Sequence, residues 1–268
     1  MPSWFHGARM LSLIERRKEI VRLTEADERV RVETLANQFT VSTVTIRNDL
    51  NALSAKGLVV RTRGGAIAST RLTRELSVQE KYKENLSVKR RLGQAVADLI
   101  GEDVRSIILD SGTTTEEVAL SLLGRSRLRV MTNGLNIASA LANTDGVEVR
   151  VTGGTLRNKS MSFYGRHAEE SLRFLHFDKL ILGADGIDTE VGVTTHFEHE
   201  ANLNRLMCQT ARQVILVADS SKFGRCGSHV ICKLGEIDVL VTDAGVPDDL
   251  PDALRAQDIE VHIVDGPG

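Results

Sequence analysis

The N-terminal fold is decided by the stretch S-T-V-T-I-R-N-D-L at residues 42–50. Ile46 and Leu50, followed by Leu53, recur at the i, i+4 and i+7 positions of one helix face. Ser42 is a residue type that caps helix N-termini, because its hydroxyl accepts a hydrogen bond from a free backbone amide. The pattern predicts a helix with one buried face and one polar face.

The polar face of this helix is typical of a DNA recognition helix. Arg47 can donate two hydrogen bonds to guanine, and Asn48 can pair with adenine. A shorter amphipathic helix is predicted over residues 32–39, so the two form a helix-turn-helix at residues 30–49 whose second helix enters the major groove. The residues expected to contact DNA from the second helix are Ser42, Thr43, Thr45, Arg47 and Asn48.

A basic β-hairpin is predicted directly after this helix. Residues 58–67 (L-V-V-R-T-R-G-G-A-I) hold two short β-prone runs around a turn. Arg61 and Arg63 are placed to neutralise phosphates or to enter a minor groove. The alternatives are a purely structural ribbon and a winged helix that contacts protein. With a further helix predicted over residues 8–23, the pattern indicates a winged helix-turn-helix domain at residues 8–68.

Charge and composition favour a cytoplasmic, DNA-binding protein that does not enter a membrane. Residues 1–70 hold 11 Lys/Arg and 7 Asp/Glu, a net charge of +4, whereas residues 71–268 hold 23 and 29, a net charge of −6. Only the N-terminal part is therefore expected to meet a polyanion such as double-stranded DNA. No apolar stretch approaches the length of a membrane span, and the three cysteines show no C-x-x-C spacing, which favours reduced thiols.

A larger α/β domain is predicted for residues 87–268, after a polar linker at residues 69–86. Alternating β-prone and amphipathic runs predict a mainly parallel sheet with helices on both faces. The predicted strands are 106–109, 128–131, 147–151, 179–182, 214–218, 239–242 and 260–264. The predicted helices are 88–100, 116–123, 136–141, 168–174, 198–211 and 250–256.

Small polar loops follow five of the predicted strands. Ligands of open α/β sheets bind at the carboxyl ends of the strands, so these loops predict one shared crevice, although each alone could be an ordinary turn and helix cap. The loop at residues 110–115 (D-S-G-T-T-T) opens a helix whose N-terminal amides suit a phosphate. The expected effector-binding residues are Asp110, Ser111, Gly112, Thr113, Thr114, Thr115, Asn133, Gly153, Gly154, Asp185, Glu200 and Lys222.

No cofactor and no metal are expected. Neither G-x-G-x-x-G nor G-x-x-x-x-G-K-[ST] occurs, which disfavours a dinucleotide or a nucleoside triphosphate. His196, Glu198, His199 and Glu200 could form a metal site, which needs three or four converging ligands. The other interpretation is that Glu198 and Glu200 pair with an amino group on the effector.

These motifs resemble the DeoR family of bacterial transcription regulators, over essentially the whole chain. The resemblance is carried by residues 42–50, 57–66, 110–115, 132–134, 152–154 and 219–222. Residues 162–165 and 204–208 are similar to the subgroup that controls N-acetylgalactosamine and galactosamine use. The family implies a sensor domain of the sugar-phosphate isomerase-like type and a phosphorylated sugar or amino-sugar effector that releases the repressor from its operator. A homo-oligomer is expected, because two-fold operators need two DNA-binding heads.

An active aldose–ketose isomerase fused to a DNA-binding head is the alternative. Gly183-Ala184-Asp185 resembles the acidic loop of those enzymes, so Asp185 could serve as a general base. In the enzymes an acid follows that Asp, and a Lys-Gly-Gly-Gly run lies downstream. In this chain Gly186 occupies the place of the acid, and residues 193–196 (V-T-T-H) occupy the place of the lysine run. The pattern predicts a binding site without catalysis, and not an enzyme.

Overall fold

The computed structural model describes residues 12–27, 29–56, 58–62, 64–68, 74–248 and 250–265. The chain divides into two compact units, residues 1–73 and 74–268. Arg63 of the predicted wing lies outside the described residues. Among the described residues, no helix has the length and apolarity to cross a membrane.

The N-terminal unit is a winged helix-turn-helix, as the sequence predicted. Its helices are α1 (Leu13–Ala26), α2 (Val32–Phe39) and α3 (Thr43–Ser54), and its strands are β1 (Arg29–Arg31), β2 (Val59–Arg61) and β3 (Gly65–Ala68). The strands form an antiparallel sheet in the order β1-β3-β2. The sequence did not predict β1, because a three-residue strand is too short to show a period of two.

The turn between α2 and α3 and the cap of α3 fix the start of the recognition helix. Thr40 follows α2 in the left-handed conformation, with φ 53° and ψ 47°, and the Val41 amide donates to the Ala36 carbonyl at 3.0 Å. The Ser42 hydroxyl accepts from the Thr45 amide at 3.1 Å, which confirms the predicted cap. Ile46, Leu50 and Leu53 are buried with Ile20 of α1 and Leu35 of α2 in one core.

The C-terminal unit is built on a seven-stranded sheet in the order β15-β14-β12-β9-β4-β5-β6. Every neighbouring pair in it is parallel. Its strands are β4 (Ser106–Leu109), β5 (Leu128–Thr132), β6 (Val147–Val151), β9 (Phe177–Leu182), β12 (Ala211–Val217), β14 (Val239–Asp243) and β15 (Glu260–Val264). These are the seven strands that the sequence predicted, so the predicted α/β fold class is confirmed.

Helices cover both faces of this sheet. Along β4, Ile107 and Leu109 face one core and Ile108 faces the other, because successive side chains of a strand point to opposite sides. The first core contains residues of α5 (Leu86–Leu99), α6 (Thr113–Ser121) and α7 (Leu135–Leu141). The second contains residues of α8 (Arg166–Leu172), α9 (Glu198–Thr210) and α10 (Leu250–Arg255).

Two small antiparallel sheets accompany the large one and were not predicted. One is the hairpin of β7 (Thr155–Arg157) and β8 (Ser162–Tyr164). The other joins β10 (Gly186–Asp188), β11 (Gly192–Thr195) and β13 (His229–Cys232). Strands of three or four residues give no readable alternation of polar and apolar side chains.

Residues 74–86, predicted as part of a linker, are ordered against the C-terminal unit. They include α4 (Val78–Lys83), capped by the Ser77 hydroxyl. The Val78 amide donates to the Lys159 carbonyl at 2.9 Å, and Glu75 forms an ion pair with Arg157. Contacts of this kind are polar and long-range, so they leave no apolar period in the sequence of the segment.

Candidate functional site

The exposed face of α3 carries the residues predicted to read DNA. Arg47 and Asn48 are exposed, whereas Thr43 and Thr45 are half-buried. The Ser42 hydroxyl lies 2.9 Å from the Thr45 hydroxyl, so both serve the helix cap in this structure. Val44, which the sequence prediction omitted, is 60% exposed on the same helix and could contact a thymine methyl group.

The wing arginine Arg61 is tied to its own hairpin. Its Nη1 donates to the Gly65 carbonyl at 2.5 Å. Burial and the positive charge of Arg47 lower the pKa of Arg61. The recognition helix and the wing therefore present neighbouring positive charges, which suits contact with a polyanion.

Asp49 holds α3 against α1. Its carboxylate is 1% exposed and accepts from Arg16 Nε at 2.6 Å and Arg17 Nε at 2.8 Å. Arg16 and Arg17 are more than thirty residues away from Asp49 in sequence, so no local pattern indicates these partners. Only the packing of α1 on α3 brings them to Asp49.

The C-terminal unit contains a cavity, partly open to solvent, at the carboxyl end of the parallel sheet. Loops that follow β4, β9 and β12 contribute to its wall, as the sequence predicted. The lining residues are Val78, Lys81, Lys89, Asp110, Ser111, Gly112, Thr113, Thr114, Thr115, Ser160, Gly183, Ala184, Asp185, Thr195, Glu200, Asn204, Lys222 and Ile231.

One side of the cavity is suited to an anion. Helix α6 begins at Thr113 after Gly112, whose φ of 142° strongly favours glycine, and the first amides of a helix have no intrahelical partners. Lys222 also lines the cavity. Lys89 is 2% exposed, and burial together with the charge of Lys222 lowers the pKa of Lys89 to about 8.

Acidic groups line the cavity beside these lysines. Asp185 accepts from Lys81 Nζ at 2.5 Å and from the Thr195 hydroxyl at 3.0 Å. Burial opposes the charge of Asp185, but the pair with Lys81 outweighs it and lowers the pKa of Asp185. Burial and the negative charge of Glu200 raise the pKa of Asp110 to about 7, although the Gly183 amide donates to its carboxylate.

Lys81, Lys89 and Asn204 are cavity residues that the sequence prediction missed. Lys81 lay in the predicted linker and had no local signal. Lys89 occupies the buried stripe of α5 with Leu92 and Val96. Asn204 occupies the buried stripe of α9 in the same way. A polar residue within a mainly apolar stripe was the signal available for these two.

Asn133, Gly153 and Gly154 are not among the residues that line the cavity. Asn133 is fully buried, and its Oδ1 accepts from the Ser111 amide at 2.8 Å, so it positions the loop after β4. Gly154 has φ 101°, and a Cβ atom there would lie 2.5 Å from the Tyr164 carbonyl oxygen. Position 154 therefore requires glycine, because two backbone segments approach each other closely there.

The His and Glu cluster near residue 196 is divided between two environments. Glu200 faces the cavity, whereas Glu198 and His199 are exposed. The His199 ring packs against Tyr164 and Phe197, with ring centroids 5.3 and 5.2 Å away. Within the described part of the chain, no three His, Cys, Asp or Glu residues are placed to hold a metal ion.

Comparison with known families identifies both units. The DeoR C-terminal sensor domain matches residues 84–244, and the DeoR-like helix-turn-helix domain matches residues 16–71. The chain belongs to the DeoR family. This membership confirms the predicted resemblance and makes the protein a DNA-binding transcription regulator with a sensor domain.

Several DeoR-family relatives match over nearly their full length. A protein of Escherichia coli O157:H7, provisionally named as the aga operon transcriptional repressor, is 45% identical over 96% of each chain. The HTH-type transcriptional regulator GlpR of Haloferax volcanii is 36% identical over 94% of this chain and 97% of its own. The glycerol-3-phosphate regulon repressor of Escherichia coli K12 is 31% identical over 93% and 98%.

The relatives are named as regulators and not as enzymes, so the isomerase alternative is not supported. Among solved structures, a ribose 5-phosphate isomerase A from Methanocaldococcus jannaschii aligns with 52% of this chain and 55% of its own. Its TM-score is 0.39 at 13% identity, which is a distant likeness.

Proposed function

We propose that this DeoR-family protein represses an operon for sugar or amino-sugar use, and that a phosphorylated sugar in the C-terminal cavity releases it from its operator. One observation carries the proposal. The cavity places the N-terminus of α6 and three lysines next to three acidic side chains, at the strand ends where α/β proteins bind ligands. A phosphate is bound by backbone amides and lysines, whereas sugar hydroxyls donate to acidic side chains, so a sugar phosphate needs both sets of groups close together.

The residues of the cavity divide into two roles. The phosphate binds the backbone amides at the start of α6 and the ammonium groups of Lys89 and Lys222. The sugar hydroxyls bind the acidic side, where Asp185 and Glu200 accept hydrogen bonds. Asn133, Gly153 and Gly154 act indirectly, by shaping the loops that surround the cavity.

The protein acts as a cytoplasmic homo-oligomer in this proposal. Two recognition helices at a fixed spacing match the two halves of a palindromic operator. The effector releases DNA only if it binds one arrangement of the heads more tightly than the other, and such coupling typically amounts to about 1–3 kcal/mol. Ser42, Thr43, Thr45, Arg47 and Asn48 contact DNA from α3, and Arg61 and Arg63 contact it from the wing.

Phosphorylated sugars are expected to raise the melting temperature of the full chain. A ligand at about 100 times its dissociation constant stabilises the folded state by about 2.7 kcal/mol, which a thermal-shift measurement detects easily. Lys222→Ala should reduce the shift, because it removes a positive charge from the phosphate side. Lys83→Ala, an exposed lysine on α4 outside the cavity, is the matched control. Equal shifts with unphosphorylated sugars would contradict the proposal.

Arg47→Ala is expected to weaken binding to the specific operator by about 1–3 kcal/mol and to relax sequence choice. The side chain is exposed on α3 and can form a bidentate contact with guanine. Fluorescence anisotropy with operator and scrambled duplexes at one salt concentration measures both effects. Lys56→Ala removes an exposed charge just beyond the end of α3 and serves as the control. Unchanged operator affinity in Arg47→Ala would refute the assigned contact.

A further inference from the structure

Strand β6 forms an open edge of the seven-stranded sheet, because β5 is its single strand neighbour among the described residues. The Thr152 amide, just after β6, donates to the Thr132 carbonyl of β5. Successive peptide groups of a strand point to opposite edges, so the even-numbered residues of β6 bond to β5 and the odd-numbered residues point outward. The outward backbone groups belong to Val147, Val149 and Val151.

This outer edge is available to another strand. Within the described ranges, no hydrogen bond is formed there by the backbone groups of Val149 or Val151. Unpaired groups of this kind are a template for a further strand, and proteins often block them with proline, lysine or a bulge. Strand β6 has the sequence V-E-V-R-V and a regular register with β5, so it contains none of these. The side chain of its last residue, Val151, is 40% exposed.

The charged side chains of β6 are Glu148 and Arg150. They lie on the same face of the sheet, because side chains two residues apart in a strand point the same way. They form an ion pair at 2.7 Å and are 53% and 52% exposed. Their charges are opposite and they lie symmetrically on either side of Val149. An antiparallel copy of β6 therefore presents the complementary charges in reverse order.

Charge complementarity also selects the register of such a pair. In an antiparallel pair related by a two-fold axis, the residue at the axis lies opposite its own copy. An axis at Glu148 or at Arg150 would place like charges opposite each other, which is destabilising. An axis at Val149 places Glu148 of each copy opposite Arg150 of the other. The two Val149 residues then exchange backbone hydrogen bonds.

We infer that a second copy of this chain docks on β6, so that two seven-stranded sheets join in antiparallel fashion at Val149 and form one continuous sheet. The inference rests on the homo-oligomer of the proposed function and names one of its interfaces. The same surface is used by both copies, so the contact is closed and does not continue into a fibre. The Val151 amide of each copy donates to the Val147 carbonyl of the other.

Sedimentation equilibrium of the full chain with reversed charges tests this inference. Glu148→Arg places two arginines opposite each other at both symmetric points, and Arg150→Glu does the same with two glutamates. Each single variant should raise the dissociation constant of the contact about tenfold or more, so that the mass of the complex falls by half. The double variant Glu148→Arg/Arg150→Glu restores opposite charges and should regain the wild-type constant within about threefold.

The matched control is Glu170→Arg. Glu170 is also a half-exposed acid in an ion pair with an arginine, but it lies on α8. The control changes the net charge as Glu148→Arg does and should leave the dissociation constant unchanged.

Disulfide cross-linking tests the register of the two strands. Chains with Glu148→Cys are mixed with chains with Arg150→Cys and oxidised mildly. In the inferred pair the two new cysteines lie opposite each other with Cα atoms about 4.5 Å apart, a distance that a disulfide can span. The mixture should form a covalent dimer. The wild type, with its own three cysteines, and each variant alone should form much less.

The outcomes separate this contact from the function that it serves. If both single variants sediment like the wild type, or if the mixed cysteine chains cross-link no more than each alone, the inference is wrong and a homo-oligomer forms through another surface. Failure of the double variant to recover, at an unchanged melting temperature, would also overturn it. A wild type that stays monomeric would overturn the inference together with the homo-oligomer, whereas effector binding is decided separately by the thermal-shift measurement.

Discussion

Asp49→Ala is expected to destabilise the N-terminal unit by about 3–5 kcal/mol, the usual cost of removing one partner from a buried ion pair. Asp49 is 1% exposed and accepts hydrogen bonds from two arginines of α1. Without it, Arg16, which is 8% exposed, would keep a buried positive charge with no carboxylate beside it. The recognition helix would lose its main polar attachment to α1.

Hydrogen–deuterium exchange of the full chain measures this effect, because the amides of α1 and α3 report on the N-terminal unit alone. Exchange of the core amides of α3 should accelerate in Asp49→Ala, and exchange in β4 should not change. A further substitution, Arg16→Met, removes the stranded charge and should restore part of the lost stability. If Asp49→Ala exchanges like the wild type, the buried ion pair does not stabilise the head.

Asp110→Asn is expected to stabilise the C-terminal unit at pH 8 and to have little effect near pH 4. Burial and the charge of Glu200 raise the pKa of Asp110 from 3.8 to about 7 in the folded state. Between these two values the folded state holds a proton that the unfolded state releases. The free energy of unfolding of the wild type therefore falls as pH rises from about 4 to about 7.

The size of the effect follows from the shift in pKa. Each pKa unit corresponds to about 1.4 kcal/mol, so the cost of ionising Asp110 in the folded protein reaches about 4 kcal/mol above pH 7. Asn keeps the shape of the protonated acid and its carbonyl oxygen can still accept from the Gly183 amide. The Asn side chain never ionises, so the Asp110→Asn variant should avoid the free-energy cost of a buried negative charge at high pH.

This prediction is tested by urea unfolding, followed by circular dichroism, at about pH 4.5 and about pH 8, near the two ends of the titration. Asp98→Asn, which changes the net charge equally at an exposed position on α5, is the control. The difference between Asp110→Asn and wild type should grow with pH, while that of the control stays constant. A difference independent of pH would show that Asp110 does not hold a proton in the folded protein.

The regular elements of this protein were largely predictable from sequence because their signals are local. The buried stripe of Ile46, Leu50 and Leu53 predicted the recognition helix, and the capping residue Ser42 predicted where it begins. Each of the seven strands of the parallel sheet showed as a β-prone run, including β4 with its four residues. The small sheets were missed because most of their strands have only three residues, which carry too little pattern.

Apart from Glu200 on α9, the candidate site was predicted where it follows strands of the large sheet. The loop from Asp110 to Thr115 was found because helix N-termini after parallel strands lie at one edge of the sheet. Lys81 was missed because it reaches the cavity from a short helix that the sequence placed in a linker. Gly153 and Gly154 were expected to bind the effector but do not line the cavity. At Gly154 the reason is that a glycine that permits close backbone packing looks in sequence like one that admits a ligand.

The sequence by itself determined the two domains, their fold classes, the polar face of the recognition helix and the family, since all of these depend on periodicity and on motifs of a few neighbouring residues. Only the tertiary structure decided the partners of the charged groups. Arg16 and Arg17 contact Asp49, and Lys81 contacts Asp185. The physical reason is that the pairing of charges depends on distance in space, and the pairs that matter here join residues 32 to 104 positions apart in the chain.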